Sequence, residues 1–141
     1  MPHRISLSVG EADIDELGHA SNLSFLRWVL EAAVSHTSSV GLSPEDYRRR
    51  GQSFVVRRHA IDYLRSVYAG EALVVETRVV AMRTASSERE TRILRAGSGE
   101  LVAHARSLWA FVDLAARRPM RIPSDVRARF SIEPSVLQPP T

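Results

Sequence analysis

The residues best suited to chemistry lie in one run, Asp13-Ile14-Asp15-Glu16-Leu17-Gly18-His19-Ala20-Ser21-Asn22, which leads straight into Leu23-Ser24-Phe25-Leu26-Arg27-Trp28. Asp15 stands a few residues ahead of a strongly apolar helix. The first turn of a helix presents unpaired N–H groups and a partial positive charge. A carbonyl placed there is polarised, and the oxyanion that develops on attack is stabilised. A carboxylate beside the same carbonyl can attack it directly or take a proton from water, and the helix terminus favours its ionised form. Gly18 lets the backbone approach a ligand closely. Asp, Gly and Asn ahead of a helix are equally ordinary turn and capping residues, so spacing alone leaves both readings open.

Other chemistry is thinly represented. Cysteine is absent, which excludes disulfides, thiolate metal sites and cysteine nucleophiles. His36, His59 and His104 are isolated, with no spacing that suggests a metal site. There is no Gly-rich phosphate loop and no Gly-x-Ser-x-Gly elbow. All 19 basic residues are arginine and the net charge is +3, too small to imply nucleic acid. Arginine suits a phosphate-bearing ligand, although the short runs Arg48-Arg49-Arg50, Arg57-Arg58 and Arg117-Arg118 read mostly as solvated surface.

The elements that would position Asp15 follow from periodicity. Ile5, Leu7 and Val9 alternate with polar residues as a half-buried strand. After a polar loop, Ser21 or Asn22 caps a helix running to about Ser39 and ended by Gly41. Apolar residues occupy most of its circumference, so it should be buried on nearly all sides; at 1.5 Å per residue it is about 27 Å long. Ser43-Pro44-Glu45-Asp46 starts a short helix that ends near Gly51. Strands follow: Ser53–Tyr68, one centred on Leu73 to Ala81, Glu88–Arg95 and Leu101–Asp113, with turns at Gly70-Glu71 and Gly97-Ser98-Gly99. Pro123-Ser124-Asp125 opens a short final helix, and Pro139-Pro140 ends the chain as a tail. The fold class is α+β, an antiparallel meander wrapped around one long helix. With 141 residues there is room for one domain, read as 1–130 with 131–141 as tail. No signal peptide or membrane span is evident, so a soluble, cytoplasmic protein is expected.

Asp15-x-x-Gly18-His19 with Asn22 and Arg27-Trp28 resembles the signature of the 4-hydroxybenzoyl-CoA thioesterase-like hotdog family. Arg58–Tyr63, Gly70-Glu71-Ala72-Leu73 and the segment from Phe111-Val112-Asp113 through Arg118-Pro119 to Ile122-Pro123 are similar too, so the likeness spans residues 4–130. The resemblance implies an acyl-CoA thioesterase, or one acting on acyl carrier protein, with no cofactor and no metal. It implies Asp15 as nucleophile or base, Asn22 at the position whose backbone N–H meets the thioester oxygen, and Gly18 as the loop glycine. His19 would orient water or substrate, or simply satisfy the loop backbone. Related hotdog thioesterases use instead a Glu on the central helix, for which Glu31 is the candidate here, with an i,i+4 pair to Arg27 as the plain alternative. Ser21 stands where the family commonly has a second Asn. Arg83, Ser86, Ser87 and Arg89 fall at a turn where family members contact pantetheine and CoA phosphates, with an ordinary hairpin rim as the alternative. The family places its sites between protomers, so a homodimer, or a homotetramer of paired dimers, is expected, with no nucleic-acid or membrane partner. The competing functions are a hotdog hydratase or dehydratase, whose Asp-x-Asn-Pro-x-His arrangement is missing here, and a non-catalytic acyl-CoA sensor.

Overall fold

The alternation of Ile5 and Leu7 with Arg4, Ser6 and Ser8 forms strand β1 (His3–Ser8) in the computed structural model of the chain, which describes residues 1–137. The Pro139-Pro140 tail lies outside the described residues. A single 3-10 turn, Glu11–Asp13, precedes the long helix α1 (Asn22–Ser39). Ser21 caps α1 by accepting a hydrogen bond from the Ser24 N–H. Helix α2 (Pro44–Arg50) starts on a capping box between Ser43 and Asp46, with Pro44 at its first position. It ends at Gly51, whose φ of 71° is the left-handed turn that favours glycine.

Strands β2 (Gln52–Tyr63), β3 (Ala72–Met82), β4 (Ser86–Arg95), β5 (Leu101–Asp113) and the two-residue β6 (Arg118–Pro119) follow, then the short helix α3 (Ser124–Arg127). All pairings are antiparallel and the order is β1-β3-β4-β5-β2, with β6 also on β5. Only β3, β4 and β5 form a meander. β2 pairs with β5 and lies far from β3, its neighbour in sequence. The connection between them, residues 64–71, crosses the end of the sheet where α1 begins. It is fastened there by the Ala20 N–H donating to Val67 O at 2.8 Å and by the fully buried Val67 side chain.

α1 buries one broad face (Phe25, Trp28, Val29, Ala32, Ala33) on the sheet, while Leu23 is 78% and Val34 44% exposed. The expectation of a helix buried on nearly all sides is therefore corrected. A single sheet covers one side of a helix, and Leu23 and Val34 on the other side stay largely exposed.

Two apolar clusters flank the helix–sheet contact. One gathers around Phe25, Trp28, Leu73, Ile93 and Val102, the other around Leu42, Phe111, Ile122 and Val126. A polar belt separates them on the sheet's inner face. Thr91 Oγ1 donates to Thr77 Oγ1 at 3.2 Å, and the His59 ring meets Ser107 Oγ at 2.7 Å. Arg89 Nη1 donates to His36 Nδ1 at 2.8 Å, and the His36 ring stacks on His3 with centroids 5.1 Å apart.

That belt sets an acid limit on stability. Burial first, then the Arg89 charge and His3, push His36 down from 6.5 to about 4. Burial also lowers His59 and His3. As pH falls from 6.5 toward 4, the unfolded chain takes up protons that the folded protein refuses, so stability declines across that window. The carboxylates held low by their partners, such as Glu76, lose their contribution only below it. We expect the melting temperature to fall progressively between pH 7 and pH 4.5, and His36→Gln to flatten the fall. A melting temperature constant over that range would contradict the linkage.

Candidate active site

Asp15 sits in a closed loop. Ile14 and Ala20 bridge as neighbouring strands do, the Asp15 N–H donates to His19 O at 2.9 Å, and the Gly18 N–H returns to Asp15 O at 3.0 Å. This tight return forces Gly18 to φ 86°, where any side chain is strained although nothing lies within 4 Å of a would-be Cβ. Asp15 Oδ1 accepts the Leu17 N–H at 2.8 Å. Oδ2 points elsewhere, 3.8 Å from His19 Nδ1, and both side chains are about one third exposed (32% and 30%). His19 Nδ1 lies 3.2 Å from Ala20 O. A carbonyl only accepts, so Nδ1 carries the proton, and in the neutral ring Nε2 is left as an acceptor.

The start of α1 supplies the complementary groups. The Ser24 and Phe25 N–H groups both turn back to Ser21. The N–H groups of Asn22 and Leu23 have no acceptor among the described residues. Two free donors at a helix N-terminus form a site for developing negative charge. The Asn22 side chain is exposed, and Leu17 and Leu23 beside it are 80% and 78% exposed, which gives the site an apolar rim.

A second carboxylate holds the loop to the helix, and reading the sequence did not single it out. Asp13 is 5% exposed. Its Oδ2 accepts the Gly10 N–H at 2.9 Å, and its Oδ1 accepts the Ser24 hydroxyl at 2.9 Å and the Arg27 guanidinium. Burial alone would raise this carboxyl, but those donors outweigh it and hold it below its ordinary value. Sequence spacing gives Asp13 and Asp15 the same signal; only the 3-10 turn separates them, turning Asp13 inward and Asp15 outward. Arg27 also reaches Glu31 at 3.5 Å, and Glu31 is half exposed, so the rival carboxylate is a surface ion-pair partner.

Arg83, Ser86, Ser87 and Arg89 do not meet Asp15 within one chain. Asp15 lies at the end of the sheet where β3 begins, since the Val9 N–H donates to Glu71 O. The β3–β4 hairpin lies at the other end, about 34 Å away along the eleven residues of β3. Arg83 is exposed and stands 3.5 Å from Glu88, and Ser86 is half buried. Ser87 and Arg89 lie in the interior, each 5% exposed, which sets aside the plain hairpin-rim alternative for these two. Ile93 is buried against α1, and counting back by twos along β4 turns Thr91, Arg89 and Ser87 the same way. These two residues line a cavity of about 320 Å³ between the second half of α1, α2 and the ends of β2 to β5. Among the described residues, no three His, Asp or Glu side chains converge as a metal site would require.

Known proteins share this architecture. The chain is 22% identical over 128 residues to the chloroplastic acyl-acyl carrier protein thioesterase ATL3 of Arabidopsis thaliana, covering 91% of this chain and 67% of that protein. It spans only 29% of a palmitoyl-acyl carrier protein thioesterase from Gossypium hirsutum. It is 27% identical over 119 residues to the acyl-CoA thioesterase YbgC of Haemophilus influenzae, covering 84% and 86% of the two chains. The crystal structure of Slr0204, a 1,4-dihydroxy-2-naphthoyl-CoA thioesterase from Synechocystis, superposes with a TM-score of 0.84 at 22% identity, over 92% of this chain and 95% of that one. The family model described as thioesterase-like superfamily matches residues 9–130. With an antiparallel sheet wrapped around one long helix and that match over most of its length, the chain belongs to the thioesterase-like superfamily of the hotdog fold and is a thioester hydrolase.

Proposed function

We propose that the protein hydrolyses acyl thioesters of coenzyme A, or of acyl carrier protein, at a site made by two copies of the chain. One observation carries the chemistry: a carboxylate oxygen of Asp15 and the unpaired N–H groups of Asn22 and Leu23 belong to the same short loop and helix start. The thioester oxygen accepts from those N–H groups, which polarise the carbonyl and stabilise the negative charge that develops on the oxygen. Asp15 Oδ2 either takes a proton from the attacking water or adds to the carbonyl carbon itself. In the first route hydroxide adds to the carbonyl carbon, the C–S bond breaks, and the proton held by Asp15 passes to the departing thiolate. In the second, the C–S bond breaks as an acyl–Asp15 anhydride forms, and water then hydrolyses that anhydride, releasing the acid and supplying the thiol's proton. Either way the products are the free acid and the thiol. His19 Nε2 is available to accept a hydrogen bond from that water or from the substrate.

The need for two copies follows from the open edge of β2 and the separation of the parts. β2 is twelve residues long and is paired on one side only, an edge that invites another strand. Pairing two β2 edges antiparallel about a two-fold axis turns one sheet end for end against the other. The Asp15 loop of one copy then faces the hairpin and cavity of its partner, and the bare side of α1 is covered.

The test is a panel of aromatic, short-chain and long-chain acyl-CoA and acyl carrier protein thioesters. Thiol release would be followed on fractions whose mass is measured by light scattering. Release should coincide with a dimer or a multiple of it. A fully active monomer would overturn the shared site, and absence of release from every thioester would favour a sensing role.

A further inference from the structure

The cavity lined by Ser87 and Arg89 holds more donors than an apolar pocket needs. Arg89 is 5% exposed, and among the described residues it has no carboxylate partner. Its Nη1 donates to the neutral His36 ring and, at 3.0 Å, to Thr77 Oγ1. Neither acceptor carries a charge, so the guanidinium stays uncompensated in the interior, where a lone charge is expensive. Two further side chains on the same wall have buried polar atoms with no hydrogen-bond partner, the Tyr47 hydroxyl and Trp109 Nε1. Burial pushes the Tyr47 phenol up to about 12, so the proton stays on and is available to donate. Trp109 pairs across the sheet with Ser87, which places its ring diagonally beside Arg89.

The remaining lining is mostly apolar, including Ala33, Val34, Phe54 and Val79, with Thr37, Ser53 and the exposed Arg48 as its other polar members. The pocket therefore offers one buried positive charge and the Tyr47 and Trp109 donors in a largely apolar cavity that no acidic side chain lines. Water can satisfy the tyrosine and the tryptophan, but it cannot neutralise the arginine. A carboxylate can: it carries a single charge, and its two oxygens fit the guanidinium fork. A phosphate carries more charge than the one buried guanidinium balances.

We propose that this cavity receives the far end of the acyl group, and that Arg89, with Tyr47 and Trp109, binds a carboxylate carried there. The preferred substrates are then monothioesters of dicarboxylic acids, not plain fatty acyl thioesters. This rests on the two-copy thioesterase reading, which brings the cavity of one chain to the Asp15 loop of the other.

The experiment has two arms on the full chain. In the first, kcat/KM is compared for adipoyl-CoA and hexanoyl-CoA, which differ only in the distal carboxylate. The wild type should favour adipoyl-CoA by roughly 10–100-fold, and Arg89→Met should abolish that ratio. Should Arg89→Met fail to fold, Trp109→Phe and Tyr47→Phe take its place, each lowering the ratio several-fold. In the second arm, hexanoate and 1-hexanol are titrated while the indole N–H resonance of Trp109 is followed, assigned by its loss in Trp109→Phe. Hexanoate should move it downfield and 1-hexanol should not, in the Asp15→Asn variant as well as in the wild type. Equal kcat/KM for the two thioesters, a ratio untouched by the cavity substitutions, or an indole that ignores hexanoate would each overturn the proposal. If no thioester is turned over, the catalytic reading fails, and the hexanoate titration alone decides whether the cavity binds a carboxylate.

Discussion

Asp15→Asn is expected to lower kcat by roughly 10²–10⁴ with KM nearly unchanged. The substitution keeps the size of the side chain, and its amide oxygen can still accept the Leu17 N–H that holds Oδ1 at 2.8 Å. What disappears is the negative charge on the oxygen that faces outward. Neither proton abstraction nor direct attack survives that loss. The Asn22 and Leu23 N–H groups remain, so substrate binding should persist. Asn22→Ala is the informative partner. If that residue acts through its backbone, the side chain is dispensable and the loss should be several-fold at most. Glu31→Gln removes a half-exposed carboxylate engaged with Arg27 and should leave turnover close to wild type. Near-normal turnover in Asp15→Asn beside a dead Glu31→Gln would move the catalytic assignment to the helix. Steady-state thiol release on one good substrate decides among these outcomes.

Asp13→Ala should lower folding stability by about 3 kcal/mol, because it strands groups that fold around a buried carboxylate. The Gly10 N–H and the Ser24 hydroxyl lose their acceptor, and Arg27 loses the anchor that keeps it against the loop. Arg27 and Gly10 are exposed enough to find water, so most of the loss comes from the buried Ser24 hydroxyl. In a domain of this size that amounts to a fall in Tm of about 6–12 °C. Asp13→Asn should cost less, since its carbonyl oxygen replaces one of the two acceptors. Chemical denaturation with an unchanged slope would confirm that the native state is what changed. A midpoint equal to wild type for Asp13→Ala would mean that the loop is held by its backbone bonds alone.

These two aspartates also mark how far the sequence could be read. The start of α1 at Ser21, its end near Ser39, the Pro44 helix start and the Gly51 stop were all legible, because caps and left-handed turns are local chemistry. The Asp15 loop was legible for the same reason. The neighbour role of Asp13 was not, since a buried network needs Gly10, Ser24 and Arg27 brought together. Arg89 was read at the β3–β4 turn by resemblance, with a hairpin rim as the alternative, whereas strand parity from Ile93 turns it inward. The position of β2 beside β5 was hidden as well. Sequence order favours neighbours, and nothing within residues 64–71 declares that they cross the sheet before β3 begins.

That crossing has a consequence in the entropy of the chain. β3, β4 and β5 join through short turns, but β1 must find β3 across more than sixty residues, as His3 opposite Thr77 shows. β2 must likewise reach past two strands to Ala103 from Tyr63. Closing a long loop costs more chain entropy than closing a turn. The middle of the sheet is thus the inexpensive part to assemble, and the two edges are ordered last and released first. The Asp15 loop follows one edge strand, and the wall of the cavity includes the other. Both halves of the chemistry are therefore hung on the portions of the sheet with the least conformational reserve, and a second copy bound along β2 would stiffen them together.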